Sequence, residues 1–287
     1  MNNYSVFNKE HCGQPISAEE SQKIQLNMLD ALAEYCDTHD LHYFLSGGTL
    51  LGAVRHKGFI PWDDDIDVNM PRPDCEKLFS ASKGRIGEYI LTGPDMDGFA
   101  PCCESYRLYN FKTVIESFAG GAAKKNPIYY PIFIDIFPIE GLPDTDKKTK
   151  RHYRKLVVLR KMQRASALKH MQAKTLAAHV FHLVSWVPAK LIGYKRWSKW
   201  VQQTVQKYSF EKSEYVGVMT APVHTTEERV KKAPYMDAVE VSFEGKKYHA
   251  PGNYDTYLSQ LYGNYMKMPP KEKQQSHHQF NMYWRKA

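Results

Sequence analysis

The residues best suited to chemistry lie in one short acidic stretch, Asp63-Asp64-Asp65-Ile66-Asp67. In a β-strand, residues two apart point to the same face, with their Cα atoms about 6.5 to 7 Å apart. Asp65 and Asp67 are therefore predicted to project together, while Ile66 faces the core. Two carboxylates held side by side repel each other, so a divalent cation is their natural partner. Hard oxygen ligands favour Mg²⁺, or else Mn²⁺, over zinc or copper.

A third carboxylate, Asp135, stands in the apolar run from Ile132 to Phe137. A carboxylate in such a strand is costly to bury unless it has a partner. If this strand lies beside the strand that carries Asp67, Asp135 joins the same metal site. Two alternatives remain for residues 63–67: a solvated acidic loop, or a calcium-binding loop, although the glycine and distal glutamate of an EF-hand are missing.

The second chemical feature is the turn Ser46-Gly47-Gly48-Thr49, which lies between a short predicted strand and a helix. Glycines let a phosphate approach the backbone closely, and a helix N-terminus offers free N–H groups and a positive dipole end. Gly47, Gly48 and Thr49 are therefore predicted to bind phosphate. The alternative is an ordinary tight turn.

Three more side chains are assigned to this site. Arg55 and Lys57 follow the glycines within ten residues and are predicted to clamp a di- or triphosphate; surface charges are the alternative. Asp63 is predicted to orient the metal ligands beside the bound phosphates.

The order of predicted elements places these residues on a sheet flanked by helices. Apolar residues at helical spacing predict helices over 17–39, 50–55, 74–82, 254–262 and most of 147–208, the last broken at Pro188 and Gly193. Strands are expected over 43–45, 65–70, parts of 86–114 and 132–137, with a hairpin over 239–249 and a polar tail after it. This pattern predicts an α+β protein in which Pro138 ends the strand that carries Asp135.

The net charge of +8 is unevenly spread along the chain. Residues 147–212 contain 17 lysines and arginines and one acid, so this segment carries +16 and the remainder sums to −8. Such a local excess indicates an anionic partner, either nucleic acid, anionic lipid or a phosphorylated substrate. A solvated helical surface is the alternative. Trp186, Trp197 and Trp200 suit a helix that lies on anionic lipid.

Length and composition are those of an ordinary globular protein, with 287 residues of which 43% are hydrophobic. No stretch reaches the roughly 20 apolar residues of a membrane-spanning helix, and the polar N-terminus predicts that there is no signal peptide. The five cysteines lack C-x-x-C spacing, which favours reduced thiols in a cytoplasmic protein. A zinc site built from Cys12, Cys102 and Cys103 with a histidine is the disfavoured alternative.

Together, these features resemble the nucleotidyltransferase superfamily, in which a Gly-Gly turn and carboxylates on two strands hold metal ions and a nucleotide's phosphates. The run from Gly48 to Asp67 resembles, nearly without interruption, the signature of the LicD family. Further matches are Phe133 to Ile139, Tyr254 to Tyr265, and Pro269-Pro270 ahead of His277-His278. The resemblance covers about 45–150 and 240–280.

The resemblance implies a magnesium-dependent phosphotransferase built on a nucleotidyltransferase-like mixed sheet flanked by helices. It implies transfer of phosphocholine, or a related alcohol phosphate, from a CDP-linked donor to a hydroxyl of a cell-surface glycan precursor, with release of CMP. Fukutin-type enzymes, which transfer ribitol phosphate, are similar in the same motif. Asp65, Asp67 and Asp135 would be the metal ligands and catalytic residues. His277 and His278 would close over the donor, or else form a surface pair.

The resemblance also divides the chain into a catalytic core over 1–146, a basic helical insert over 147–215, and a part over 216–287 that completes the catalytic domain. Such an enzyme would act in the cytoplasm at the inner face of the membrane, with anionic lipid contacting residues 147–212.

Two rival functions remain open. A true nucleotidyltransferase would use the same metal site and release pyrophosphate. A nucleic-acid-binding protein would use the basic segment, but no recognised binding motif accompanies that charge, so specific nucleic-acid binding is not expected.

Overall fold

A ten-stranded mixed β-sheet carries two of the predicted metal ligands, Asp67 and Asp135. The computed structural model describes residues 6–94, 105–118, 127–167, 186–220, 225–275 and 280–286. The strands are β1 Cys12–Pro15, β2 Phe44–Leu45, β3 Asp67–Pro71, β4 Arg85–Ile86, β5 Tyr89–Thr92, β6 Tyr106–Ser117, β7 Ile128–Leu142, β8 Tyr215–Val218, β9 Val230–Lys231, β10 Val239–Phe243, β11 Lys246–Ala250 and β12 Phe280–Arg285. The helices are α1 Ala18–Thr38, α2 Gly47–His56, α3 Arg72–Ser82, α4 Asp146–Ala167, α5 (described over 186–192), α6 Tyr194–Val205, α7 Lys232–Met236 and α8 Tyr254–Tyr262.

The strand order of the main sheet is β1-β12-β6-β7-β3-β2. Strands β5 and β4 extend from β6, strands β8 and β9 extend from β7, and β10 pairs with β11 in a separate hairpin. One large core of buried side chains joins the sheet to α1, α2, α3 and α8. The predicted α+β fold, a mixed sheet with flanking helices, is confirmed.

The two strands that carry the predicted metal ligands are neighbours. Strand β3 runs parallel to β7, and Asp67 is the direct Cα partner of Asp135. Ile134 and Ile136 are completely buried, as their alternation with Asp135 predicts. The predicted adjacency of these strands is therefore confirmed, and their register sets two aspartates side by side.

The boundaries of both strands differ from those expected. Strand β3 begins at Asp67, so Asp65 lies in the extended segment just before the strand. Strand β7 does not stop at Pro138 but continues to Leu142. The proline is tolerated because it falls between Ile136, the last residue paired with β6, and Ile139, the first paired with β8. A missing N–H there removes no bond to an antiparallel neighbour.

The C-terminal segment is a strand where a polar tail was expected. Strand β12 pairs with both β6 and β1, and Phe280, Met282 and Trp284 alternate toward the main core. Strand β8, from the same last third of the chain, pairs with β7. Elements of the predicted C-terminal part thus complete the central sheet, although the exact domain boundaries remain a prediction.

The basic segment contains three helices in its described part. Helix α4 packs on α6 through a small cluster that includes Tyr153, Leu156 and Val201. The chain breaks at Gly193, as expected, and Pro188 lies within the part of α5 that the structure describes, 186–192. Among the described residues, no helix combines the length and apolar character needed to cross a membrane.

Candidate active site

The acidic stretch forms the densest carboxylate cluster in the described part of the chain. Asp63, Asp64 and Asp65 each offer an oxygen atom, and these atoms lie within 4.8 Å of one another. Asp63 and Asp65 also share a hydrogen bond between their side chains. Asp67 follows at the first position of β3 and interacts electrostatically with Asp65, Asp63 and Asp135. Four predicted site residues are thus brought together, and Asp64 joins them.

The N-terminal glycines of helix α2 pack closely against these carboxylates. A Cβ atom on Gly48 would collide with Asp63 Oδ2, and one on Gly47, where φ is +51°, would lie 3.3 Å from Asp67 Oδ2. Thr49 Oγ1 accepts a hydrogen bond from the backbone N–H of Asp67 at 2.9 Å. The glycines therefore lie in the first turn of α2, not in a loop ahead of it, and they allow a close approach of helix and carboxylates.

Helix α1 holds the backbone of the acidic stretch from the other side. Ser17 caps the helix by accepting a hydrogen bond from Glu20 N–H. Two glutamines further on donate to backbone carbonyl groups: Gln25 Nε2 to Asp64 at 2.8 Å and Gln22 Nε2 to Asp63 at 3.2 Å. Because Gln25 is buried in the apolar face of α1, the helix fixes the loop that presents the carboxylates.

The carboxylates strongly disfavour one another's ionised forms. Burial, followed by the charge of Asp65, raises the pKa of Asp63 to about 7. Burial and the charges of Asp65, Asp135 and Asp63 raise the pKa of Asp67 well above its usual range. A bound cation would relieve this repulsion, and an all-oxygen ligand set of this kind fits Mg²⁺ or Mn²⁺. The residues present therefore suit the predicted ion.

Asp135 has a cationic partner that the sequence did not reveal. Arg107 lies directly opposite Asp135 across β6 and β7. Its Nε donates to Asp135 Oδ1 at 2.7 Å, while Nη2 lies 3.5 Å from Oδ2. The guanidinium group also rests over the ring of Phe133, 4.2 Å from the ring centre. One oxygen of Asp135 is thus firmly engaged and the other only weakly.

Tyrosines from the C-terminal part complete the surroundings of the cluster. The Tyr262 hydroxyl would lie 3.8 Å from a Cβ on Gly47, and burial and the nearby charge of Asp67 raise the pKa of that hydroxyl. Beneath it, the Tyr257 hydroxyl lies 3.2 Å from Ser46 Oγ and 3.3 Å from the buried carboxylate of Glu228.

The predicted phosphate clamps lie elsewhere. Arg55 and Lys57 are at the C-terminal end of α2, on the order of 13 Å from its glycines. Arg55 Nη1 donates to the backbone carbonyl of Tyr265 at 2.8 Å. The structure thus does not bring these two cations to the carboxylates, and their role remains a prediction. His277 and His278 lie outside the described residues, as do Cys102 and Cys103.

Sequence reasoning missed Arg107, Tyr262 and the two glutamines. The available signal for Arg107 was a single charge between apolar residues of a predicted strand. For Gln25 it was a polar residue within the apolar stripe of a helix. Both patterns also occur where a polar group merely satisfies a local hydrogen bond, so neither identified a partner.

A mixed sheet with carboxylates on neighbouring parallel strands, facing a Gly-Gly helix N-terminus, defines a protein of the nucleotidyltransferase type. Residues 40–155 match the family model described as the LicD/FKTN/FKRP nucleotidyltransferase domain. This match assigns residues 40–155 to the LicD family domain.

Two relatives in this family illustrate the range of the similarity. The lipopolysaccharide cholinephosphotransferase LicD of Haemophilus influenzae is 29% identical over 273 residues, which cover 92% of this chain and 96% of that protein. The ribitol 5-phosphate transferase FKRP of Homo sapiens is 45% identical over 49 residues, or 16% of this chain and 10% of that protein. Similarity to the bacterial relative thus extends over nearly the whole chain, and similarity to the human one is confined to a short segment.

Proposed function

We propose that this protein is a metal-dependent phosphotransferase that moves phosphocholine, or a related alcohol phosphate, from a CDP-linked donor to a hydroxyl of a cell-surface glycan precursor. CMP is the leaving group. The nearly full-length similarity to a lipopolysaccharide cholinephosphotransferase supports the reaction type and the acceptor class. The single observation that carries the proposal is the alignment of Asp67 with Asp135 across β3 and β7, with Asp65 and Asp63 beside them.

Asp65, Asp67 and Asp135 are the proposed ligands of Mg²⁺, or of Mn²⁺. When bound, the ion would neutralise charge on the donor's phosphates, as metal ions do in other phosphoryl transfers. The proximity of Asp63 and Asp64 supports this assignment, because a bound cation would relieve the repulsion among five neighbouring carboxylates, which Arg107 offsets only in part.

The protein's own groups orient the two substrates. N–H groups in the first turn of α2, at Gly47 and Gly48, donate to the donor's phosphate oxygens. The acceptor hydroxyl attacks the phosphorus farther from cytidine, in line with the bond to the CMP oxygen, which breaks as the new bond forms. Asp135 takes the proton of the attacking hydroxyl. Asp63 orients the metal-binding carboxylates through its hydrogen bond to Asp65.

The site of action in this proposal is the inner face of the membrane. The basic charge of 147–212 and exposed apolar side chains on α5 and α6 support contact with anionic lipid, where a lipid-linked acceptor would be found.

The experiment is incubation with a panel of CDP-linked alcohols, Mg²⁺ and a glycan acceptor, with measurement of CMP. Asp65→Asn and Asp67→Asn are expected to retain less than about 1% of wild-type turnover, since loss of a ligand for the ion removes most of the stabilisation of the transferring phosphate. Glu19→Gln, on the exposed side of α1, is the control and should be fully active. Retention of turnover in a folded Asp67→Asn variant excludes the metal site. Release of pyrophosphate from CTP, with no CMP formed from a CDP-alcohol, would identify a true nucleotidyltransferase.

A further inference from the structure

Arg107 occupies one end of a row of charged residues that runs across three adjacent strands. Arg107 on β6 pairs in register with Asp135 on β7, and Asp135 pairs with Asp67 on β3. Residues paired in register project from the same face of a sheet. Neighbouring strands lie about 4.8 Å apart, so the Cα atoms of Arg107 and Asp67 are separated by roughly 10 Å.

The other end of the row is formed by the N-terminus of α2. Ser46 N–H donates to the Asp67 carbonyl group at 3.0 Å, and Gly47 lies against the Asp67 carboxylate. Positive groups therefore flank the carboxylates on both sides: the helix N-terminus beyond β3 and the guanidinium group on β6. A diphosphate held by a cation at the carboxylates would extend toward one or both of these positive groups.

The guanidinium group is held in a fixed orientation yet remains accessible. Asp135 binds its Nε, and the ring of Phe133 supports its flat face. The side chain of Arg107 keeps 22% of its accessible surface. The two cations expected to clamp phosphate, Arg55 and Lys57, lie at the far end of α2.

We propose that Arg107 binds the diphosphate of the nucleotide-linked donor, and that Asp135 and Phe133 position it to do so. This inference rests on the proposed function only for the identity of the donor. An arginine suits this place because its planar, delocalised charge forms paired hydrogen bonds to phosphate oxygens while stacked on a ring. The second oxygen of Asp135, Oδ2, interacts only weakly with Arg107, since it lies 3.5 Å from Nη2.

The test measures binding of CDP and of inorganic pyrophosphate, and separately of Mn²⁺, to the wild type, Arg107→Gln and Arg107→Lys. Loss of the guanidinium group in Arg107→Gln is expected to weaken CDP and pyrophosphate binding by about 10- to 100-fold, the value of a charge-assisted hydrogen bond. Arg107→Lys should fall between. Mn²⁺ should bind about 3- to 10-fold more tightly to Arg107→Gln, because a positive charge beside the carboxylates is gone.

Lys112→Gln is the matched control, since Lys112 is a cation of the same strand that pairs with Glu88 at the surface. It should bind every probe as the wild type does. Wild-type affinity of Arg107→Gln for both anions would overturn the inference. So would parallel loss of Mn²⁺ and anion binding, because Arg107 would then only support the fold of the carboxylates. If the wild type binds pyrophosphate but not CDP, the proposed cytidine donor is refuted, and the pyrophosphate affinities of the variants still test Arg107. If the wild type binds neither anion, the cytidine donor and the role of Arg107 are both refuted.

Discussion

The protonation of Asp63 is linked to binding of the proposed ion, because its carboxyl group lies among the carboxylates of the site. Its pKa is raised to about 7, first by burial and then by Asp65, so the carboxyl group is largely protonated below pH 7 when no cation is bound. Ion binding at lower pH must then displace a proton. The apparent affinity for Mn²⁺ is expected to fall below pH 7, by up to about tenfold per pH unit for each proton displaced.

Titration of free Mn²⁺ by electron paramagnetic resonance between pH 5.5 and 8 measures this dependence. Asp63→Asn should bind Mn²⁺ more weakly at pH 8 but lose affinity less steeply below pH 7, since one titrating group has been removed. If the Mn²⁺ affinity of the wild type does not change over this pH range, the proposed link between Asp63 protonation and ion binding is wrong.

Glu228 predicts a second pH effect, on stability. It is 7% exposed, accepts a hydrogen bond from Tyr257, and has its pKa raised to about 7 by burial. Since the folded protein holds this proton more tightly than the unfolded chain, stability is greatest below the ordinary pKa near 4.5 and falls as the pH rises through 7. The full loss is on the order of 3 kcal/mol.

Glu228→Gln keeps the oxygen that accepts the Tyr257 hydrogen bond but cannot ionise. Urea denaturation at pH 5 and pH 8 should show that the variant gains stability relative to the wild type at the higher pH. An equal difference at both pH values would mean that Glu228 is already paired with a cation or reached by water.

Single residues also show how far sequence could define the site. Spacing alone grouped Asp65 with Asp67, because a strand has a fixed period. It did not identify Arg107, because the carboxylate that Arg107 binds lies 28 positions away in the sequence. It did not identify Tyr262, because this side chain reaches the site only when a C-terminal helix packs there. Such contacts follow from strand register and helix docking, and neither is encoded within a local pattern.

At the level of elements, α1 contacts the acidic loop through hydrogen bonds from Gln22 and Gln25 to its backbone. Gln25 is almost completely buried and donates to the Asp64 carbonyl group. Gln25→Ala removes this bond while the apolar stripe of the helix remains. Stability should fall by only about 1 kcal/mol, whereas Mn²⁺ affinity should fall by roughly tenfold, as is usual when a group that orients a metal ligand is lost.

Asn27→Ala, on the exposed face of the same helix, should alter neither quantity. Thermal denaturation and Mn²⁺ titration of both variants give the comparison. If Gln25→Ala lost stability but kept full Mn²⁺ affinity, α1 would support the fold without shaping the site.

The helices and strands were largely predictable where the apolar residues recur at a clear helical or strand spacing. Helix α8 and the hairpin of β10 and β11 lie where the residue pattern predicted a helix over 254–262 and a hairpin over 239–249. Strand β12 was missed because it is short and follows the polar run 271–279, although Phe280, Met282 and Trp284 alternate in it. Only pairing with β6 and β1 on its two edges makes it a strand.

On the scale of the whole molecule, charge divides the chain into an acidic catalytic part and a basic helical segment. The site carries five aspartates, whereas 147–212 carries +16. A uniformly basic protein would be drawn to anions over its whole surface. In the proposed function, this distribution directs one segment toward a negative surface and leaves the carboxylate site for the proposed cation and the donor's phosphates.

The basic segment also exposes apolar side chains beside its lysines. Leu191 at the end of α5 is 82% exposed, and Trp200 on α6 is 38% exposed. Lys195 and Lys199, on the same helix as Trp200, are exposed as well. An apolar side chain among cations is the combination that binds the interface of an anionic bilayer, with about 1 kcal/mol per basic residue near the surface.

We therefore expect binding to vesicles that contain anionic lipid, weakened by salt, and little binding to neutral vesicles. Lys195→Glu combined with Lys199→Glu should reduce sedimentation with anionic vesicles by at least about 30-fold in affinity, since two favourable charges become unfavourable. Lys271→Glu with Lys273→Glu makes the same change of charge in an exposed turn outside the segment and should bind nearly as the wild type does. An equal loss of vesicle affinity in both double variants would show that binding depends only on the protein's net charge. Equal binding of the wild type to neutral and anionic vesicles would refute electrostatic docking through this segment.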